Sequence, residues 1–246
     1  MNSIIGQRLP KLDAPDKATG RTVYGHDVRL PGMLHAGILY SRHAHARILS
    51  VDVSRALKLP GVKTIITAAD NPRVGAGLAP ALGDRKDRPY TAPAHFGYGK
   101  DNTPLKGDVV RSLRDEVAAV AAADADVAQD ALELIEVEYE PLPAVFDAES
   151  ALKEGAPLIH SERASNLFQA YKYLHGEPET GERESDVTVE ADFDLPYVAH
   201  AAMETSVVVA SFDHHGRLTL YSTTQIPFLL QRDLAEALGL DGSDIR

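Results

Sequence analysis

Residues 116–141 read Glu116-Val-Ala-Ala-Val-Ala-Ala-Ala-Asp-Ala-Asp-Val-Ala-Gln-Asp-Ala-Leu-Glu-Leu-Ile-Glu-Val-Glu-Tyr-Glu-Pro141. Three patterns follow one another in this stretch. Glu116–Ala123 is an apolar run after its first residue, compatible with a buried strand. Asp124 can then cap a helix, and Val127, Ala128, Ala131, Leu132 and Ile135 recur at helical spacing. Finally Ile135, Val137 and Tyr139 alternate with Glu136, Glu138 and Glu140, as in a half-buried strand, until Pro141 and Pro143 end it. Strand, helix and strand in sequence define an α/β or α+β domain over roughly residues 20–145.

Upstream segments supply the strands this unit needs. Leu34–Tyr40 and Ala46–Val53 read as strands, with Ile48, Val51 and Val53 apolar. Ser54 can cap a short helical piece over Arg55–Leu59, and the β-branched run Gly61–Thr67 gives another strand. Residues 1–22, basic and broken by Pro10, Pro15 and Gly20, read as an extended arm. Residues 71–107 hold five prolines and six glycines. A loop of that length within a domain points to a functional or partner-covered segment.

Downstream, Asp147–Glu154 is a short helix, and residues 146–184 read as a linker. A second unit begins near Ser185, where alternation at Val187, Val189 and Ala191 predicts a strand. Ser206–Phe212 and Arg217–Ser222 flank Asp213-His-His-Gly216, a hairpin turn. Phe228, Leu229, Leu230, Leu234 and Leu238 form an amphipathic helix that stops near Gly239, and another strand is expected after Gly242. Between hairpin and helix lies Ser222-Thr-Thr-Gln225-Ile-Pro227. It is a strand-to-helix junction of the kind that presents free backbone N–H groups to ligands, with an uncharged amide exposed there.

Composition narrows the function. The 246 residues carry a formal charge of −11, which argues against nucleic-acid partners and anionic membrane surfaces. The chain has no cysteine, so disulfides, thiolate nucleophiles and thiolate-held zinc or iron–sulfur clusters are excluded on it. No signal-peptide core or membrane-length apolar stretch is present, so the cytoplasm is the expected compartment. His43 and His45 could share a metal, but no third ligand is identifiable, which favours a structural role. His214 and His215 read as solvated turn residues, and Glu136, Glu138 and Glu140 as the wet side of a strand. His200 and Glu204, four residues apart in an apolar setting, are either a structural hydrogen-bond anchor or part of a site.

Several motifs, in order, resemble one family. Thr19-Gly-Arg-Thr-Val-Tyr24, Leu30–Ala36, Ser41–Ile48, Gly61–Asp70 and Ile135–Pro143 are similar to the opening of the molybdopterin-binding subunit of the xanthine dehydrogenase family. Met203-Glu204 and Ser222-Thr-Thr-Gln225 resemble the start of its molybdopterin-binding domain. The resemblance implies an α+β fold, with an α/β hammerhead domain over residues 23–145 and the beginning of a molybdopterin-binding domain over 185–246. It implies a molybdenum–molybdopterin cofactor, with Gln225 as the cofactor-binding residue that reaches an oxygen ligand of the metal. It further implies hydroxylation, or a related redox change, of an aromatic heterocycle, aldehyde or aryl thioester. In the hydroxylases of the family water supplies the oxygen, and electrons leave through 2Fe–2S and FAD centres, here on partner subunits. Three positions depart from the pattern: Ser41-Arg42 for Ser-Pro, Arg114-Asp115-Glu116-Val117 for a Gly-Glu-Pro-Val-like turn, and Thr205 where Pro is usual. The family's Gly-rich cofactor segment and its general-base glutamate have no counterpart in these residues. The chain is therefore expected to be the front part of such a subunit, cut short or completed by another polypeptide, and inactive alone. The competing expectation is a non-catalytic scaffold that binds redox partner subunits through residues 71–107.

Overall fold

The computed structural model describes residues 5–71, 103–161, 163–168 and 170–246. Most of the loop expected to bind partners, residues 72–102, lies outside them. Its described ends are held together by Asn71, whose amide donates to the Leu105 carbonyl (2.7 Å) and accepts from the Leu105 N–H (2.9 Å). That is the pairing of a β-bridge made by a side chain.

The chain opens with a helical turn, α1 (Ala14–Ala18), inside the segment read as extended, with Pro15 in its first turn and Lys17 paired to Asp13. The first domain then builds two three-stranded sheets. In one, β1 (His35–Tyr40) and β3 (Val62–Thr67) flank β5 (Glu116–Ala122), all antiparallel. In the other, β4 (Val109–Val110) and β6 (Glu136–Pro141) flank β2 (Ala46–Asp52). Helix α2 (Ala125–Glu133) lies against β1 and β5.

The apolar run of β5 is buried, as expected, and it is buried from both sides. Ala118, Val120 and Ala122 pack with Ala56, Ala128, Ala131 and Ile135 beneath α2, while Val117 packs with Ala46, Ile48 and Val110 of the second sheet. One strand thus serves two cores, so a polar residue on either face would be buried. Asp124 caps α2 as expected, accepting the Val127 N–H at 2.9 Å. The glutamates of β6 face solvent: Glu140 pairs with Arg47 at 2.9 Å and Glu136 with Arg55 at 2.6 Å. Both pairs are more than half exposed, so each contributes well under about 1 kcal/mol.

Two of the three departures from the family pattern are locally satisfied. Asp115 accepts the Arg111 N–H (2.6 Å), and Ser112 Oγ accepts the Arg114 N–H (3.2 Å), which rebuilds the turn without glycine or proline. The buried Ser41 donates its hydroxyl to the His43 carbonyl and accepts the His43 N–H, closing the turn that Pro would have stiffened.

Two short helices, α3 (Ala148–Leu152) and α4 (Pro178–Glu184), punctuate the linker region. The strand expected around Val187–Ala191 does not form: residues 186–202 belong to no regular element and their side chains are exposed. Alternation specifies a half-buried strand, yet a strand needs a neighbour, and none of the described residues hydrogen-bonds to this backbone. The hairpin does form, as β7 (Val208–Phe212) and β8 (Leu218–Ser222). Asp213 ties its turn, accepting from the N–H groups of Arg217 and His215, each at 2.9 Å. The Arg217 N–H is the main cause holding the Asp213 carboxyl below the usual carboxylate range. Helix α5 (Pro227–Leu238) follows, opened by Pro227 and closed by Gly239 in the left-handed region at φ 67°. Among the described residues no helix is long and apolar enough to cross a membrane.

Candidate cofactor site at the β8–α5 junction

The junction is set by a parallel crossover. Leu218 on β8 bridges Ile245 in parallel, with Arg246 N–H donating to the Leu218 carbonyl (2.9 Å) and Leu220 N–H to the Arg246 carbonyl (2.8 Å). The strand expected after Gly242 therefore appears as this bridge beside β8, reached through α5. Leu218, Ala235 and Ile245 are the buried residues of this unit. The Gln231 amide fastens the return, donating to the carbonyls of Gly242 (3.0 Å) and Ile245 (2.6 Å). Sequence reading passed over Gln231. Its signal is a lone amide between Leu230 and Leu234 on the apolar side of a helix, where it needs a partner.

In open α/β units, ligands bind beyond the carboxyl ends of strands, at helix N-termini. Here that place holds Ser222, Thr223, Thr224 and Gln225. No side chain caps α5, and Thr224 Oγ1 accepts the Ile226 N–H at 3.2 Å just before it. Gln225 is exposed, and its amide makes no hydrogen bond to the described residues. Ser222 and Thr224 line hollows on both sides of the junction. One, of about 270 Å³, is shared with Phe228 and Leu234; the other, of about 570 Å³, is shared with Tyr24, Glu204 and Tyr221.

Glu204 has a clear place. Its Oε1 accepts the Gly25 N–H at 3.2 Å, across 179 residues of sequence. Beside it Gly25 approaches Val207, the residue before β7, so closely that an added Cβ would lie 2.5 Å from Val207 Cγ1. Val207 in turn accepts the Thr223 N–H at 3.2 Å. A continuous path thus runs from the entry segment through Glu204 and Val207 to the hydroxyl junction. Of the two open readings for Glu204, the structure supplies the hydrogen-bond anchor. His200 is exposed and no hydrogen bond joins it to Glu204. Glu204→Ala is expected to cost about 1–3 kcal/mol, the penalty for a part-buried N–H left unpaired, whereas Glu204→Gln keeps the acceptor and most of the stability. Thermal denaturation of the two variants checks this.

The other histidines go to structure. His45 Nδ1 lies 2.6 Å from the Pro143 carbonyl, and the His43 ring packs 4.8 Å from that of Tyr139. Burial pushes the Tyr139 phenol up, against a smaller opposing hydrogen bond with Ser41. His214 and His215 sit exposed at the hairpin tip. Among the described residues no three His, Cys, Asp or Glu side chains converge to hold a metal ion. A metal carried by an organic group, met by neutral amide and hydroxyl donors, fits this junction; a metal ligated by protein side chains does not.

Residues 19–143 match the family described as aldehyde oxidase and xanthine dehydrogenase, a/b hammerhead domain, and residues 159–246 match a molybdopterin cofactor-binding domain. The nicotinate dehydrogenase large molybdopterin subunit of Eubacterium barkeri is 30% identical over 99% of this chain and 52% of its own length. The carbon monoxide dehydrogenase large chain of Afipia carboxidovorans is 34% identical over 90% of this chain and 27% of its own. The crystal structure of quinoline 2-oxidoreductase from Pseudomonas putida 86 superposes with a TM-score of 0.81 at 29% identity, covering 100% of this chain and 30% of that one. The chain thus spans about half the length of the first relative and under a third of the other two. With a hammerhead fold leading into the start of a molybdopterin-binding domain, this chain belongs to the aldehyde oxidase and xanthine dehydrogenase family of molybdopterin-dependent oxidoreductases.

Proposed function

We propose that this chain is the front part of the large subunit of a molybdenum hydroxylase, and that Gln225 is its contact with the cofactor. The observation that carries this reading is the free, exposed Gln225 amide beside three hydroxyl residues at the uncapped start of α5. An amide N–H can donate to an oxygen on the metal without adding charge, and a donor at that place would steady developing negative charge. Ser222, Thr223 and Thr224 offer further donors and acceptors for a polar pterin. When bound, the molybdenum group supplies oxygen transfer and two-electron redox chemistry. The chain's own part is to hold and orient that group, through the Gly25–Glu204–Val207 path that fixes the junction.

The partners that follow are the polypeptide carrying the rest of the molybdopterin-binding domain, an iron–sulfur subunit with 2Fe–2S centres and an FAD subunit. The absence of cysteine places any thiolate-held cluster outside these residues. Among the substrate classes, an aromatic heterocycle is favoured, because nicotinate, nicotine and quinoline appear in the names of similar proteins. The test is reconstitution. Purified with the remaining polypeptide, the complex should contain molybdenum in stoichiometric amount by elemental analysis. A complete complex that recovers redox partner subunits and contains no molybdenum would overturn the reading in favour of a scaffold.

A further inference from the structure

We infer that Val187–Tyr197 is a β-strand without its neighbour, and that it pairs with a strand from the remaining part of the molybdopterin-binding subunit. The inference rests on the proposed function for the identity of the partner, but its physical basis is separate. Positions 187, 189, 191, 193, 195 and 197 are Val, Val, Ala, Phe, Leu and Tyr, while 188, 190, 192, 194 and 196 are Thr, Glu, Asp, Asp and Pro. Period-two alternation sustained over so many positions is the pattern of a strand with one buried face. Yet Phe193 is 86% exposed and Leu195 88%. The backbone of residues 186–203 makes no hydrogen bond to the described residues. An apolar stripe of this kind, with a free backbone beside it, fits β-strand addition.

The pairing edge can be assigned. Along a strand the N–H and C=O of alternate residues point to opposite edges. Pro196 lacks an N–H, so the edge used by the even-numbered residues is interrupted there. The edge used by the odd-numbered residues is complete, and the new ladder forms along it.

Charge decides against a second copy of this chain. Residues 177–194 contain eight acidic residues and one basic residue, Arg183. Pairing two such segments would set Glu190, Asp192 and Asp194 against like charges, which destabilises cross-strand pairs. The other part of the subunit is the occupant that the coverage of related chains supports. The chain covers 30% of the quinoline oxidoreductase chain that it superposes on along its whole length, residues 187–197 included. No described residue of this chain supplies the neighbour, and the other 70% of such a subunit is where we place it.

Hydrogen–deuterium exchange on the 246-residue chain, alone and mixed with the remaining polypeptide, tests this. Alone, amides 187–197 should exchange at the earliest time points. In the complex they should slow by at least about 100-fold, most strongly at the odd positions. Phe193→Asp, at an exposed site, should leave the chain folded and weaken assembly by about 100-fold or more, as loss of a central aromatic contact does. Protection already present in the isolated chain, with a dimer in sedimentation, would overturn the inference in favour of a second copy. Fast exchange persisting in the complex would overturn it outright. A complex with molybdenum but an unprotected segment refutes only the strand, and a complex with a protected segment but no molybdenum refutes only the cofactor reading.

Discussion

Gln225→Ala is expected to lower turnover of the assembled enzyme by about 100-fold while assembly and molybdenum content stay unchanged. Losing one donor to a developing oxyanion costs about 10²–10³ in kcat, and the proposed contact would put the Gln225 amide in that position. The fold gives no reason for collateral damage: the side chain is exposed and without intramolecular hydrogen bonds. Substitutions at such sites change stability by no more than about 0.5 kcal/mol. Gln225→Glu separates donation from bulk. It preserves size and places a carboxylate at the N-terminus of α5, where the helix dipole favours it, but it removes the amide donor. Both variants should therefore lose kcat to a similar degree with KM little changed. Steady-state kinetics beside elemental analysis decides the matter, and full turnover in Gln225→Ala sinks the role.

Sequence and structure agree where the determinants are local. The apolar run of β5, the Asp124 cap, the alternation of β6, the Asp213–Gly216 turn and the Pro227-to-Gly239 span of α5 all depend on neighbours within a few residues, and all formed as read. The Ser222–Gln225 junction belongs to this group, since strand, hydroxyl run and helix start are contiguous. What sequence pattern could not give is pairing at a distance. Nothing in β5 says that β1 and β3, rather than β2, are its neighbours. Glu204 could be recognised as a carboxylate needing a partner, but its partner is a backbone N–H 179 residues earlier. Gln231 was invisible for the same reason: its acceptors are carbonyls on the far side of a crossover. Val187–Ala191 shows the opposite limit. Its alternation predicts a strand and none forms there, because alternation specifies which face wants burial and not who provides it.

Ala131→Leu should be the most damaging single change in the first domain, costing about 3 kcal/mol and lowering the thermal midpoint by roughly 6–12 °C. The cause lies in how α2 approaches its sheet. The contact is made by small residues, with Ala118, Ala122 and Ala131 each 0% exposed and Ala128 only 3%. On β1 the facing position is Gly37, where an added Cβ would already lie 2.9 Å from Leu132 Cδ1. The helix is thus close to the sheet because nothing bulky separates them. Three further carbons at Ala131 can be accommodated only by lifting α2 or by forcing off-rotamer side chains in a close-packed interior. The strain does not stay local, because β5 is shared: moving it away from α2 presses Val117 into the second core of Ala46, Ile48 and Val110. A leucine at Gln129, on the exposed face of the same helix, adds apolar bulk without that contact and should leave the midpoint within about 1 °C. Differential scanning calorimetry on the pair separates packing from composition; an unshifted midpoint in Ala131→Leu would mean that α2 does not sit on β5 as closely as these alanines require.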